Sequence, residues 1–359
     1  MLRIHHLLTA LSTLLVVGCA NVGYYAQALN GQLEVYAQSR PIEDVVADPA
    51  VDAKVKDKLN QVLGIREYAS HELGLPYNDS YRVYADLKRP YVLWNVFATP
   101  EFSLKPTEWC FIVTGCVAYR GYFSQRDAEA FAAKLRAEGA DVYVGGVTAY
   151  STLGWFRDPL LNTTINRPIP EIAGLIFHEL AHQRLYVRGD TAFSESFAMT
   201  IELEGMRRWL KANGAPDDYE KYETKLKRYE EFAALVMKHR DRLEVLYESG
   251  ANVDQKRAGK ALIFSELRAE YAQLKERWNG YSGFDGWFAQ NLNNAHLISL
   301  GMYHRHVPAL QALLARNRGN LAAFYQAAED LGRLPSVERV AALNTLLPTP
   351  TAALEKPQF

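Results

Sequence analysis

Two histidines and a glutamate with the spacing of a zinc site occur near the middle of the chain. Residues 178–182 read His-Glu-Leu-Ala-His inside an otherwise apolar segment. If residues 171–187 form a helix, His178 and His182 share one face, where two imidazoles can bind one zinc ion. Glu179, one position further round, can hold a water molecule against that ion as a general base. The alternative is a helix with two hydrogen-bonded histidines and an exposed glutamate.

A third ligand for such an ion follows thirteen residues after His182. Asp190 and Thr191 are suitable caps for a second helix that runs to about Trp209. Two antiparallel helices joined by a short turn would bring Glu195 back beside the histidines. Two histidines and one glutamate leave the fourth zinc position to water or substrate, as a catalytic zinc site requires.

A second carboxylate on the same predicted helix has the position of a supporting residue. Glu202 follows Glu195 by seven residues and therefore lies on the same helix face. A carboxylate there could accept a hydrogen bond from a ligating histidine and so fix the orientation of its ring. An ordinary solvated carboxylate is an equally open interpretation.

The N-terminus has the pattern of an export signal. Arg3 provides a basic start, and residues 7–17 form an apolar stretch too short to cross a bilayer. The following Gly18-Cys19 resembles a bacterial lipobox, in which the cysteine becomes the first mature residue and carries lipid. We therefore expect a signal peptide at 1–18 and lipid on Cys19; an ordinary cleaved signal is the alternative. Because Ala20 follows rather than aspartate, this resemblance favours the periplasmic face of the outer membrane.

The two remaining cysteines are Cys110 and Cys116. An oxidising periplasm would allow them to form a disulfide across a tight loop. Free buried thiols are the alternative, because sequence alone does not show that their Cα distance suits a bridge.

Composition indicates a globular protein with no electrostatic preference for polyanions. The 359 residues carry a formal net charge of −1 and are 48% hydrophobic. There is no basic excess that would attract nucleic acid or an anionic membrane surface. The expected partners are a peptide substrate and, through lipid on Cys19, a membrane.

Hydrophobic periodicity predicts an α+β fold. A small, mainly antiparallel sheet should pack on the helix of residues 171–187, followed by a large all-helical C-terminal part. The expected organisation is an α+β unit at 19–213, a helical domain at 214–346 and a loose tail at 347–359. The predicted strands are 80–85, 91–97, 114–122 and 141–150. The predicted helical segments are 24–72, 125–138, 217–248, 254–278, 289–316, 319–332 and 336–346.

Four stretches of the chain resemble one family over most of the mature sequence. They are residues 115–122, 144–156, 177–205 and 292–295. The chain thereby resembles bacterial lipoproteins assigned as zinc aminopeptidases and related to the gluzincin class of metallopeptidases. The resemblance implies a zincin-like catalytic domain over 19–213, one zinc ion and a peptide substrate.

The site residues suggest a mechanism of peptide hydrolysis. Zinc held by His178, His182 and Glu195 would polarise the water and the scissile carbonyl, with Glu179 as general base. Such a reaction needs a donor to the developing oxyanion. Tyr303 and Tyr150 are the candidates, although either could instead be a packing residue. The strand at 141–150 could bind an extended peptide along the cleft.

Two other functions remain open at this stage. The N-terminus-binding motif of familiar aminopeptidases of this class is not found before residue 178. An envelope endopeptidase or a peptidoglycan-peptide hydrolase is therefore one alternative. The other is a non-catalytic binding or assembly lipoprotein on a zincin scaffold, which the retained base Glu179 disfavours.

Overall fold

The computed structural model describes residues 23–111, 115–214, 216–301 and 306–347. Within them the chain has an α+β fold, with small sheets in the first half and a mainly helical second half, which confirms the expected fold class. The expected signal peptide 1–18, Cys19, Tyr303 and all of the predicted tail except its first residue lie outside the described residues. Within the described residues, no helix combines the length and apolar character that crossing a membrane requires.

The first half of the chain alternates helices with very short strands. In order, its elements are α1 (23–37), β1 (Ser39–Pro41), α2 (Ile42–Ala47), α3 (Ala53–His71), β2 (Val83–Ala85), β3 (Leu93–Pro100), β4 (Trp109–Phe111), β5 (Gly115–Val117), β6 (Arg120–Tyr122), α4 (Gln125–Ala137), β7 (Ala140–Val147), β8 (Leu160–Leu161) and α5 (Asn162–Ile165).

Long helices make up most of the second half. They are α6 (Ile169–Arg184), α7 (Thr191–Asn213), α8 (Pro216–Glu248), α9 (Val253–Arg277), α10 (Asp285–Phe288), α11 (Asn294–Gly301), α12 (Val307–Arg316), α13 (Leu321–Arg333) and α14 (Ser336–Leu346). The helices expected at 125–138, 217–248 and 254–278 are confirmed to within two residues. The described residues of the segment expected as one helix at 289–316 form α11 and α12. Helix α12 begins at Val307 beside Pro308, and proline is favoured in the first turn of a helix.

The strands form three small sheets rather than the single sheet expected. One has the order β1-β2-β8, the second β6-β3-β7, and the third is the β4-β5 pair. All pairs are antiparallel except β2 with β8. Among the described strands, β7 of the second sheet pairs with β3 alone, so it is an edge strand. Cys110 and Cys116 lie opposite each other in the β4-β5 pair and form a disulfide there.

Several predicted strands are shorter than expected, for local backbone reasons. The strand predicted at 80–85 begins only at Val83, because Tyr81 has a φ of 63°, which interrupts extended backbone. The strand predicted at 114–122 consists of β5 and β6 with a break between them. Strand β1 was not predicted. It lies in the segment expected to be helical, where Pro41 prevents a helix from continuing.

The main hydrophobic core surrounds α6 and α7. Ile172, Ile176 and Phe177 of α6 are fully buried there. The same core contains residues of β2 and β8 and of the late helices α12 to α14. Helix α6 is therefore held on several sides, which fixes the two histidines near its C-terminal end.

The paired helices α8 and α9 form a second core of their own. Their buried face includes Phe232, Leu267 and Trp278, which pack with aromatic residues of the 281–288 segment. The turn between them ends at Asn252, which forms a capping box with Gln255. The expected boundary between a domain at 19–213 and another at 214–346 stays a prediction.

Candidate metal centre

The end of α6 and the start of α7 bring three possible metal ligands together. His178 and His182 lie one turn apart on α6, with ring centroids separated by 4.9 Å. Asp190 caps α7 by accepting a hydrogen bond from the Phe193 amide at 3.0 Å, as its type and position predicted. Glu195, the fifth residue of α7, then faces both histidines. One possible ligand atom from each of the three residues lies within 4.8 Å of the others.

The distances between these atoms fit a single bound zinc ion. One carboxylate oxygen, Oε2 of Glu195, lies 3.4 Å from Nε2 of His178 and 3.6 Å from Nε2 of His182. Ligand atoms at about 2.0–2.1 Å from a tetrahedral zinc ion are roughly 3.4 Å apart. The same nitrogen of each ring faces Glu195, so the three side chains converge on one point. Two imidazoles and one carboxylate also match the donor chemistry of catalytic zinc sites.

The charges of the site favour a bound cation. Burial alone lowers the pKa of His178, but its hydrogen bonds to Glu195 and Glu202 raise that pKa well above the ordinary value. Burial alone raises the pKa of Glu195, but His182 and His178 lower it overall. Among the ion pairs of the described residues, Glu195 and Glu202 contact histidines and no lysine or arginine. These half-buried carboxylates therefore stabilise positive charge at the histidines, and a metal ion supplies such charge.

Glu202 takes the supporting position that its spacing allowed. Its Oε2 lies 3.1 Å from Nδ1 of His178, the ring nitrogen that does not face Glu195. The carboxylate reaches His178 across Gly174 of α6: a Cβ at position 174 would lie 3.2 Å from Oε1 of Glu202. The absence of a side chain at Gly174 therefore makes room for this contact between α6 and α7.

Replacing Glu202 with glutamine should weaken metal binding without abolishing it. A neutral amide orients and polarises the His178 ring less than a carboxylate does, and loss of such a partner costs about 10–100-fold in metal affinity. Competition titration with a chelator measures this change. Glu204→Gln is the matched control, because Glu204 lies on the same helix but pairs with Arg207 and Arg208. Equal zinc affinity in Glu202→Gln and the parent would show that Glu202 is only a helix carboxylate.

Glu179 has the burial and the position of a general base. It is 9% exposed, adjacent to His178 on α6, and lines the same cleft as the three candidate ligands. Burial raises its pKa above the ordinary value, although the neighbouring histidines oppose this effect. The side chain is not engaged in an ion pair with lysine or arginine among the described residues. It is therefore available to a molecule in the cleft.

The site opens into a cleft with a mostly aromatic and apolar lining. Its volume is about 550 Å³. The floor is formed by α6 and α7, and the walls by α1, β3, β5 and the segment after β7. Among the described residues, the carboxylates that line it are Glu179 and Glu195. Apolar groups therefore suit this cleft better than strongly charged ones.

Two tyrosines in the cleft are placed beside the candidate ligands. Tyr119 and Tyr186 are both half-buried, and for each the pKa is raised by burial and then by the charge of Glu195. Sequence reasoning missed both. Tyr186 follows His182 by four residues, but α6 ends at Arg184 and Leu185 is extended, so helical spacing does not explain its place in the cleft. The predicted donor Tyr150 also lines the cleft, but its hydroxyl donates to Oε1 of Gln32 at 2.5 Å.

A buried carboxylate shapes the rim of the cleft. Asp158 is 2% exposed and accepts hydrogen bonds from Ser151 and Thr152 and, at 3.0 Å, from Gln183 of α6. These contacts close the loop between Thr152 and Asp158 and connect it to α6. The exposed tip of the loop carries Trp155 and Phe156, which line the cleft mouth.

A cavity of similar volume, about 580 Å³, lies on the other side of β5. Cys116 and Ala118 face this cavity, whereas Val117 and Tyr119 face the cleft, as the alternation of a strand requires. None of its described lining residues is a candidate metal ligand or Glu179. The chemistry is therefore concentrated in the cleft at the end of α6.

Comparison with known proteins assigns the chain at the level of a family. The match covers residues 23–343, which is most of the described chain and includes α6, α7 and the cleft. No curated protein and no solved structure matches the chain. The family is described as "Putative aminopeptidase", and it supports a peptidase function. The chain belongs to this aminopeptidase family.

Proposed function

We propose that this protein is a zinc-dependent aminopeptidase of the cell envelope. The proposal rests on the convergence of His178, His182 and Glu195 on one point, with Glu179 beside them at the floor of a cleft. The family assignment supports hydrolysis of peptides as the reaction class. The zinc ion, the exopeptidase specificity and the envelope location are our inferences.

The residues of the site divide the chemistry among them. A zinc ion bound by the two histidines and Glu195 would polarise a scissile carbonyl and lower the pKa of a water molecule to near neutrality. Glu179 accepts the proton of the attacking water and donates it to the leaving amine. Glu202 holds the ring of His178 through its Nδ1 atom, so that Nε2 stays directed at Glu195.

An oxyanion that develops on the substrate needs a hydrogen-bond donor from the cleft wall. Tyr119 and Tyr186 are the best placed of the described tyrosines, because both lie near Glu195 and line the cleft. Tyr150 is a weaker candidate, since its hydroxyl is already committed to Gln32. Tyr303 keeps its place as a candidate from the sequence.

The edge strand β7 suits an extended peptide. Its last residue, Val147, lines the cleft together with Ala149 and Tyr150 of the following segment. A peptide laid along an unpaired edge can add as a further strand, which aligns one peptide bond with the catalytic residues. The aromatic lining then favours apolar side chains next to the scissile bond.

One observation favours an endopeptidase as a second candidate. An aminopeptidase needs a group that neutralises the free α-amine of its substrate. The described residues that line the cleft provide only Glu179 and Glu195 as carboxylates, and both already have roles at the metal site. A cleft without a dedicated anionic group would accept internal peptide bonds as readily as N-terminal ones.

Digestion of matched peptides decides between these specificities. We expect the zinc-loaded protein to release N-terminal residues from free peptides, preferring apolar ones. It should cut N-acetylated copies about tenfold more slowly or less, which corresponds to about 1.4 kcal/mol of preference for the free amine. Mass spectrometry of a peptide library in both forms measures the products. Equal cleavage of acetylated and free peptides at internal bonds would replace the aminopeptidase with an endopeptidase that has the same site.

The envelope location rests on the N-terminal sequence, which lies outside the described residues. We expect the mature protein to begin at Cys19, to carry lipid there and to fractionate with the outer membrane. Mass spectrometry of the mature N-terminus measures the cleavage site and the added mass. An unmodified Cys19, or cleavage at another position, would refute the lipoprotein assignment and leave the peptidase proposal intact.

A further inference from the structure

The N-terminal helix α1 exposes an unusual apolar face. Tyr25, Leu29 and Leu33 recur at every fourth residue and therefore share one side of the helix. They are 42%, 60% and 57% exposed, respectively. The opposite side of α1 packs into the protein through Val35, which is fully buried. The exposed side is therefore not part of the core of the described structure.

The charge content of α1 sets it apart from an ordinary surface helix. Within 23–37 the one charged residue is Glu34. That carboxylate pairs with Arg89 at 2.9 Å, so its charge is compensated and does not make the apolar face more polar. Surface helices normally place several charged residues opposite their buried face. Here the exposed residues of α1 are apolar except for Asn30, and the helix has no unpaired charge.

The aromatic loop at the cleft mouth extends this apolar face. The ring of Phe156 contacts the ring of Tyr36 on α1, with centroids 5.8 Å apart. Trp155, which precedes Phe156 in the loop, is 74% exposed. Tyr36 follows Leu33 by three positions and so lies next to it on the helix. The five residues Tyr25, Leu29, Leu33, Trp155 and Phe156 form what we call the apolar rim.

We infer that the apolar rim rests on the membrane surface, so that the mouth of the cleft opens toward the bilayer. This inference rests on the proposed envelope location. Cys19 is four residues before α1 begins, and four residues reach at most about 14 Å. Lipid on Cys19 would thus hold the N-terminal end of α1 close to the lipid headgroups. Tryptophan, tyrosine and leucine are the residues that enter such an interface favourably.

The inference also narrows the class of substrate. Tyr25, Trp155 and Phe156 belong both to the apolar rim and to the lining of the cleft. A substrate that enters between them passes along the bilayer surface. The favoured substrates are therefore apolar peptides that lie in or emerge from the membrane interface.

Binding to vesicles without the lipid anchor tests the apolar rim independently of Cys19. The mature chain from residue 19 with Cys19→Ser should float with vesicles of phosphatidylethanolamine and phosphatidylglycerol, and high salt should not release it. Leu29→Gln with Leu33→Gln should lower the bound fraction about tenfold, because the contact is apolar. The matched control is Val245→Gln with Leu262→Gln, which alters side chains 71% and 58% exposed on α8 and α9.

Fluorescence provides a second readout of the same contact. Trp155 is exposed, whereas the other five tryptophans are buried or half-buried. Lipids brominated near the headgroup should quench the emission of the bound protein, and Trp155→Phe should remove the quenched component.

Equal flotation of the rim and control variants, or quenching that persists in Trp155→Phe, would overturn the inference. A different result would assign this face to a second copy of the chain: the protein dimerises in solution, the rim variant does not, and neither protein binds vesicles.

Discussion

Glu179→Gln should reduce peptide hydrolysis by about 10²–10⁴-fold while the protein keeps its metal, because general-base catalysis contributes an acceleration of that size. An amide cannot accept the proton of the attacking water, but Glu179 is not among the three converging ligands, so metal binding should persist. Initial rates on a peptide with an apolar N-terminal residue, measured with zinc content on the same sample, check both parts.

A control on the same helix separates lost chemistry from a disturbed helix. Glu171 lies in the first turn of α6 and pairs with Lys225 at 2.7 Å, outside the cleft. Glu171→Gln should therefore leave the rate within about twofold of the parent, as expected for an exposed ion pair. If Glu179→Gln hydrolyses peptides as fast as the parent, a non-catalytic binding protein on the same scaffold becomes the better account.

The second large effect is expected at the ligands themselves. His182→Ala and Glu195→Gln should both lose zinc, and with it nearly all hydrolysis. Each removes one of three converging donors, so the loss of affinity should exceed the roughly 10–100-fold expected for an outer partner such as Glu202. Equilibrium dialysis against buffered zinc measures the affinity of each variant.

The two ligand variants also distinguish metal loss from unfolding. His182 is 7% exposed, and its replacement by alanine leaves an unfilled space beside α6, which can destabilise the fold. Glu195→Gln changes little volume, so it should retain the helical circular dichroism of the parent. Loss of zinc in His182→Ala alone, with full zinc content in folded Glu195→Gln, would remove Glu195 from the ligand set.

The parts of the fold that sequence predicts well are those with strong local signals. The helix pair at 217–278 and the cap at Asp190 follow from periodicity and capping, which depend on neighbouring residues. Local sequence also explains why the candidate ligands His178, His182 and Glu195 lie close together. The connection between α6 and α7 is short, so α7 runs back beside α6. Their positions were therefore predictable from spacing.

The cleft wall and the short strands were less predictable. Tyr119 reaches the site from the segment between β5 and β6 and precedes the nearest candidate ligand, His178, by 59 residues, so no local pattern connects it with the ligands. Strand β1 has three residues and exists through pairing with β2. The division into three sheets likewise depends on contacts between distant segments, and such contacts leave little trace in the periodicity of a single sequence.

The zinc content of four proteins purified in parallel tests the central claim most directly. Elemental analysis should find one zinc per chain in the parent and in Glu179→Gln, and almost none in His182→Ala. His239→Ala is the matched control, because His239 is a fully buried histidine on α8 outside the cleft and should leave the zinc in place. Equal metal content in all four proteins, or no zinc in the parent, would contradict a catalytic zinc centre at His178, His182 and Glu195.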